Sequence, residues 1–203
     1  MKNLKKILLI ALPMLVLSSC SKDDDYKTAP FTPLLFTEDF PSGDGLDDTI
    51  LELEGWTNMA ETGTVVWKNQ IYRGNGYAEF TSYQSSDAVS VGWLISPSID
   101  MDEHIGEKLV FRSSQSYVSS VNNKLEVFVS SDFDGTNFST ATWTPIAAKL
   151  PTTDATYFEF MESGVIDLSS YTGNLHVGFK VTGSGTNTSL DGSYQIDNVR
   201  VYY

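Results

Sequence analysis

The chain has 203 residues, with 13 basic side chains against 26 acidic ones, a net charge of −13, and 12% aromatic residues. The excess of carboxylates argues against a nucleic-acid ligand, whose binding depends on neutralising phosphates with Lys and Arg. A single cysteine, Cys20, excludes a disulfide-held scaffold, so stability must come from a hydrophobic core, with or without the help of a metal ion.

The N-terminus opens with Lys2, Lys5 and Lys6, followed by a mostly aliphatic run from Ile7 to Leu17 and the small residues Ser18 and Ser19. That order is the pattern of a secretory signal. The run is also shorter than the roughly 20 apolar residues that a membrane-spanning helix needs. Residues 1–19 are therefore expected to be a signal peptide. The stretch "LSSC" resembles the lipobox of bacterial lipoproteins, which implies acylation of Cys20, removal of the residues before it and anchoring to the outer membrane. Each buried methylene of such chains adds about 0.8 kcal/mol of membrane affinity. A free thiol beside an ordinary signal peptide is the alternative. The acidic "SKDDD" that begins at Ser21 resembles the export signal of surface lipoproteins of the Bacteroidota, with a solvated acidic linker as its alternative. Removing the three leader lysines from 13 basic residues leaves 10 against 26 acidic ones, a charge of −16.

Residues 20–35, with Pro30 and Pro33 and few order signals, read as a flexible tether. Residues 36–203 are long enough for one domain with a substantial core. Short alternating runs follow one another: "GYAEFTSY", "VSVGWLIS", "KLVFRSS", "NKLEVFVSS", "TYFEFMESGVID" and "YQIDNVRVYY", separated by Gly, Asn, Asp, Ser and Pro clusters. In the run from Leu175 to Thr182, Leu175, Val177, Phe179 and Val181 share one face, and His176 falls on the other, solvated one. Val91, Trp93 and Ile95 read in the same way as a core stripe. Many strands without intervening helices predict an all-β fold, an antiparallel β-sandwich of the jelly-roll kind. In the last strand Tyr194 and Ile196 have one parity and Val199, Val201 and Tyr203 the other. The slip predicts a β-bulge at Asp197 and Asn198, a device that re-aims side chains.

Taken in order, the opening "FTEDF", Gly55–Trp56, "GWLISPSIDM", "KLVFRSS", "LEVFVSSDFDG", "ATWTPI", "SGVIDLSSYTGNLHVGFKVTGSG" and the terminal "YQIDNVRVY" resemble the cleaved-adhesin or choice-of-anchor J domains of Bacteroidota surface proteins. The resemblance spans residues 36–203. It implies a jelly roll, galactose-binding-like or MAM-like, that is usually non-catalytic, used for adhesion or ligand binding, and often holding a structural calcium ion. Carried over position by position, it points to Glu38 and Asp197 as metal ligands, with Asp39 as a neighbour. The chemistry is compatible, because Ca²⁺ takes six to eight oxygen ligands. The alternative is that Glu38 and Asp39 face solvent and that Asp197 caps the bulge.

Other signals are weaker. "DFDGTN" at Asp132 to Asn137 has two aspartates at calcium-loop spacing, but Asn137 stands where the loop requires glycine and Trp143 where it requires glutamate, so a hairpin turn is expected. No HExxH or G-x-S-x-G is present, and no pair of carboxylates stands out as catalytic. Exposed aromatic faces stack on sugar rings, and Trp67, Tyr83 and Tyr117, each beside polar loops, are the candidate platform. "DTI", Asp48 to Ile50, resembles a bacterial O-glycosylation acceptor. The expected protein is a non-enzymatic lipoprotein, lipid-anchored in the outer membrane and surface-exposed, whose domain binds a glycan. An adhesin or structural subunit with a surface-protein partner is the alternative, and a glycan hydrolase a more distant one.

Overall fold

The computed structural model describes residues 32–203. Cys20, the leader and the acidic stretch lie outside the described residues. The strands are β1 (Leu34–Glu38), β2 (Thr49–Ile50), β3 (Thr57–Thr62), β4 (Lys68–Tyr72), β5 (Asn75–Thr81), β6 (Ser90–Ile95) and β7 (Ile99–Asp100). They continue as β8 (Lys108–Ser116), β9 (Lys124–Ser130), β10 (Thr144–Pro145), β11 (Met161–Glu162), β12 (Ile166–Asp167), β13 (Asn174–Gly183) and β14 (Ser193–Tyr202). One short 3-10 turn, Phe138–Thr140, interrupts them.

The strand pairings among the described residues are antiparallel and fall into two sheets, the arrangement of a jelly-roll sandwich. The larger sheet runs β11-β8-β14-β5-β4-β2. β1 pairs with the C-terminal half of β14, and β12 with the start of β8. The smaller runs β10-β9-β13-β6-β3, with β7 on the end of β13. Period-2 alternation sends one set of side chains from each sheet into the space between them. From the larger sheet these are Ala78, Phe80, Leu109, Phe111, Tyr194 and Ile196; from the smaller, Leu94, Val127, Leu175, Val177, Phe179 and Val181. Phe111 meets Phe179 edge-on across the layers at 5.1 Å. Phe80 lies so close over Gly92 of β6 that a Cβ there would overlap its ring. A glycine is therefore required at this strand-centre position by packing, despite its entropic cost.

The predicted bulge in β14 is present. Asp197 stands opposite Arg112 and Arg200 opposite Val110, so the strand spans three residues where its partner spans two, and Asn198 takes a φ of 50°. The extra residue restores the inward facing of Val199 and Val201, both fully buried, after Tyr194 and Ile196 have used the other parity.

Three strand readings need correction. Val91, Trp93 and Ile95 are buried, but on the outer face of the smaller sheet, where they join Phe133 in a second cluster packed against Phe128, Phe138 and Trp143. His176 is likewise not solvated. It is 6% exposed, its Nδ1 lies 2.8 Å from the Ser96 carbonyl oxygen, and the Phe133 ring packs edge-on against it. The cause is the same in both cases: the β9–β10 connection folds back over this outer face. The aromatic run "TYFEFMESGVID" forms only β11 and β12, and Tyr157 and Phe158 precede them in a loop.

Candidate functional site

The outer face of the larger sheet is built by residues that alternate with the core positions. Lys68 pairs with Glu79 across β4–β5, Glu79 with Gln195 across β5–β14, and Gln195 with Ser114 across β14–β8, so these four form one rung. Thr81, Ser193 and Ser116 form the next rung. Opposed side chains on one face of a sheet lie within hydrogen-bonding reach, and here they bond to one another. The Gln195 Nε2 donates to Glu79 Oε2 at 2.7 Å, and the Ser193 hydroxyl reaches the same oxygen at 3.3 Å. Ser114 donates to Gln195 Oε1 at 2.7 Å, and Ser116 and Ser193 share a 2.7 Å bond. Burial pushes the Glu79 carboxyl above its usual range, against the bonds from Gln195 and Ser193 that pull it down. Both of its side-chain hydrogen bonds fall on Oε2, which leaves Oε1 without a hydrogen-bond partner among the described residues, in a side chain that lines a cavity.

Aromatic walls rise over this polar floor. A cavity of about 620 Å³ is lined by Glu79, Ser116 and Ser193 below and by Tyr83, Tyr117, Tyr157 and Phe158 at its sides. These four rings are 62%, 66%, 49% and 50% exposed, and Tyr117 and Tyr157 tilt against each other at 4.8 Å. A second cavity of about 610 Å³ shares Tyr157 and Phe158 and adds Tyr72, Tyr77 and Phe160. A third, of about 370 Å³, shares Glu79, Thr81 and Tyr83 and extends to Asp48, Lys68 and Gln70. The shared walls place the three side by side, a line of adjoining hollows across the strands that forms one grooved face. Burial, aided by the charge of Glu79, pushes the Tyr77 hydroxyl up to about 12, which keeps it a neutral donor.

The walls are held by one buried side chain. Gln115 donates from Nε2 to the Ala155 carbonyl at 2.7 Å and accepts the Val118 N–H on Oε1 at 3.1 Å, while its own carbonyl accepts the Phe158 N–H at 2.9 Å. It thereby ties the turn bearing Tyr117 to the loop bearing Tyr157 and Phe158. Tyr117 and Phe158 both have left-handed backbones, φ 57° and 59°. Positive φ at bulky residues is strained and persists only where its surroundings over-determine it, which the Gln115 bonds help to do.

Tyr83 and Tyr117, expected to form a platform, meet in this groove. Trp67 does not: it is fully buried, packs on Phe80 at 5.7 Å, and has its backbone N–H and C=O bound by Asn58, so it belongs to the core. Its place just before β4 on the inward parity, beside buried Asn69, is the physical reason. Glu79, Gln115, Tyr157 and Phe158 were not anticipated. The outward parity of Glu79 in "YAEFT" was visible, but its pairing with Gln195 depends on which strands are neighbours. The run "TYFEF" alternates like a strand, so its rings at Tyr157 and Phe158 give no sequence signal of a loop wall.

The expected metal ligands lie where β1 meets the bulge of β14. Asp39 and Asp197 come together around Asn198, whose Nδ2 reaches Asp39 Oδ1 at 2.8 Å and Asp197 Oδ1 at 3.2 Å. Asn75 donates to Asp197 Oδ2 at 3.0 Å and Arg200 pairs with Asp39 at 3.0 Å. Glu38 accepts the Phe40 N–H at 2.8 Å. Amide and guanidinium donors thus occupy these carboxylates, and among the described residues no group of three His, Cys, Asp or Glu side chains is placed to hold a metal ion. The donor set fits calcium only in part. In the β9–β10 loop, Asp134 accepts the N–H groups of Thr136 and Asn137, the turn expected of "DFDGTN". Thr49 of the "DTI" stretch donates its hydroxyl to the Leu46 carbonyl at 2.7 Å, with Ile50 exposed beside it.

No protein-family model matches the sequence. No curated protein matches it either. Among solved structures, one cleaved adhesin domain of Lys-gingipain aligns with a TM-score of 0.51 at 16% identity, covering 83% of this chain and 98% of that one. Another cleaved adhesin domain of Lys-gingipain, from Porphyromonas gingivalis, aligns with a TM-score of 0.50 at 16% identity, covering 84% of this chain and all of that one. A xylan-binding domain from Paenibacillus barcinonensis reaches a TM-score of 0.48 at 15% identity, covering 86% and 97%. At such identities the likeness establishes the fold, a jelly-roll sandwich of the kind seen in cleaved adhesin domains.

Proposed function

We propose that the chain is a non-catalytic binding module of the cleaved-adhesin type, and that the groove on the outer face of its larger sheet holds a glycan. The observation that carries this reading is the pairing of exposed Tyr83, Tyr117, Tyr157 and Phe158 rings with a floor of hydrogen-bonded Glu79, Gln195 and serine side chains. Aromatic faces offer large, rigid, amphipathic contact area to a sugar ring. Glu79, held in place by the buried Gln195 and Ser193, offers the sugar hydroxyls a fixed acceptor that is already ordered and so costs little on binding.

Acylation of Cys20 and display at the outer membrane surface are part of the same proposal, resting on "LSSC" and "SKDDD". The intact mass of protein extracted from native membranes tests the acylation. A structural calcium ion near Asp39 and Asp197 is proposed with the reduced donor set described above. If it binds, adding Ca²⁺ to chelator-treated protein raises the melting temperature, by the general linkage of ligand binding to stability; an unchanged temperature removes it.

The glycan reading is tested by presenting the protein to an array of plant, host and microbial glycans. Binding that Tyr117→Ala and Tyr157→Ala each weaken supports it. Silence from folded protein transfers the assignment to a protein-binding adhesin, to be pursued by pull-down from the cell envelope.

A further inference from the structure

The groove carries charge of one sign where it matters. Glu79 stands at the junction of two of its three cavities, Asp191 lines the middle one and Asp48 the cavity at one end. Among the residues lining these three cavities the sole cation is Lys68, and its Nζ is bound to Asp48 at 2.8 Å. Arg112, beneath Phe160, pairs with Glu162 at 3.4 Å, and Arg73 lies over the Tyr72 ring at the hairpin tip. Recognition of a carboxylate or sulfate calls for an available Arg or Lys, commonly as a bidentate fork, and the groove floor presents none.

From this geometry, and resting on the glycan reading above, we infer that the groove selects uncharged, hydroxyl-rich chains and rejects those bearing carboxylates or sulfates. Glu79 is the specificity-determining residue. Its Oε2 is anchored by Gln195 and Ser193, so the carboxylate is fixed in the cavity lining while Oε1 keeps no hydrogen-bond partner among the described residues. A sugar hydroxyl can donate to it; a uronate or sulfate oxygen cannot, and brings like charge into a partly desolvated cleft where repulsion is weakly screened. The neutral Tyr77 hydroxyl and the exposed rings serve either kind of chain, so the discrimination falls on the carboxylate.

The test uses the full chain on an array in which each neutral glycan stands beside the same chain with its primary hydroxyls oxidised to carboxylates, at low and at high salt. The expected result is binding to one or more neutral chains, at least about tenfold weaker binding to their oxidised forms, a smaller ratio at high salt, and a further collapse of the ratio in Glu79→Gln. Asp191→Asn provides a second variant on the same wall, expected to narrow the ratio less. Oxidised chains that bind as well as neutral ones, or a ratio that Glu79→Gln leaves unchanged, overturn the selectivity while the glycan reading stands. Absence of binding to every chain by folded protein overturns the glycan reading, and the selectivity with it.

Discussion

The two outer faces of this sandwich carry similar numbers of aromatic rings and use them in opposite ways. On the smaller sheet, Trp93 meets Phe128, Phe138 and Trp143 at 5.0 to 5.1 Å, and the Glu61 carboxylate accepts its indole N–H. Lys180 lies over the same ring at 5.2 Å and pairs with Glu61. Although burial pushes the Glu61 carboxyl up, the bonds from Trp93 and Lys180 outweigh it and hold the group below its usual range. On the larger sheet the rings keep about half or more of their surface exposed, above buried serines, a buried glutamine and a glutamate. The difference lies in the floor. Apolar Val91, Trp93 and Ile95 attract a covering loop that buries its own rings with them, whereas the polar rungs are satisfied by bonds among themselves and the rings that cover them stay exposed to solvent.

The comparison predicts that substitutions on the closed face move stability and those on the open face move binding. Trp93→Ala should have the largest effect, a loss of about 3–5 kcal/mol in unfolding free energy, with ligand affinity unchanged in the folded fraction. Urea titration beside binding checks both halves, and a loss of binding from folded Trp93→Ala would break the distinction. Gln115→Leu crosses it. By stranding the Ala155 carbonyl and Val118 N–H, it should cost about 1–3 kcal/mol of stability and also weaken binding, since both walls loosen. Tyr117→Ala, at an exposed ring, should lower affinity about tenfold while shifting stability by no more than about 0.5 kcal/mol.

The smallest expected effect concerns pH. A carboxyl raised in the folded state, as burial raises Glu79, favours folding below its unfolded value and loses that contribution as pH rises through its folded value. At neutral pH the ionised group therefore lowers stability. Glu79→Gln should melt slightly above wild type at pH 7, with the difference shrinking toward pH about 4. Asp48, Asp132, Asp134 and Asp167, lowered chiefly by hydrogen bonds, act in the opposite sense and weaken the whole fold on acidification. The measurement is thus the difference between the two proteins, not either curve alone. A Glu79→Gln protein less stable than wild type by the same amount at both pH values would mean that hydrogen bonding, not burial, governs this carboxyl.

Much of this architecture can be read from residue order alone. Alternation marks the strands, the parity slip at Asp197 and Asn198 marks the bulge, and the loop residues around Asp134 mark a turn, because each depends on neighbours within a few positions. Tyr83 and Tyr117 are legible as exposed rings for the same local reason. The burial of Trp67, Trp93 and His176 is not, since a side chain's parity says only which face of a sheet it takes. What covers that face is decided by segments outside the strand itself, such as the β9–β10 loop over Trp93 and His176.

The sequence by itself determined an acidic, disulfide-free β-sandwich, with strands and a bulge set by the two-residue repeat of extended backbone. Only the tertiary structure decided which aromatics became core and which became walls. It also brought Glu79 against Gln195, 116 positions later, and Gln115 beneath the loop at Phe158. Those meetings are consequences of strand order, which joins residues by pairing across sheets and not by distance along the chain.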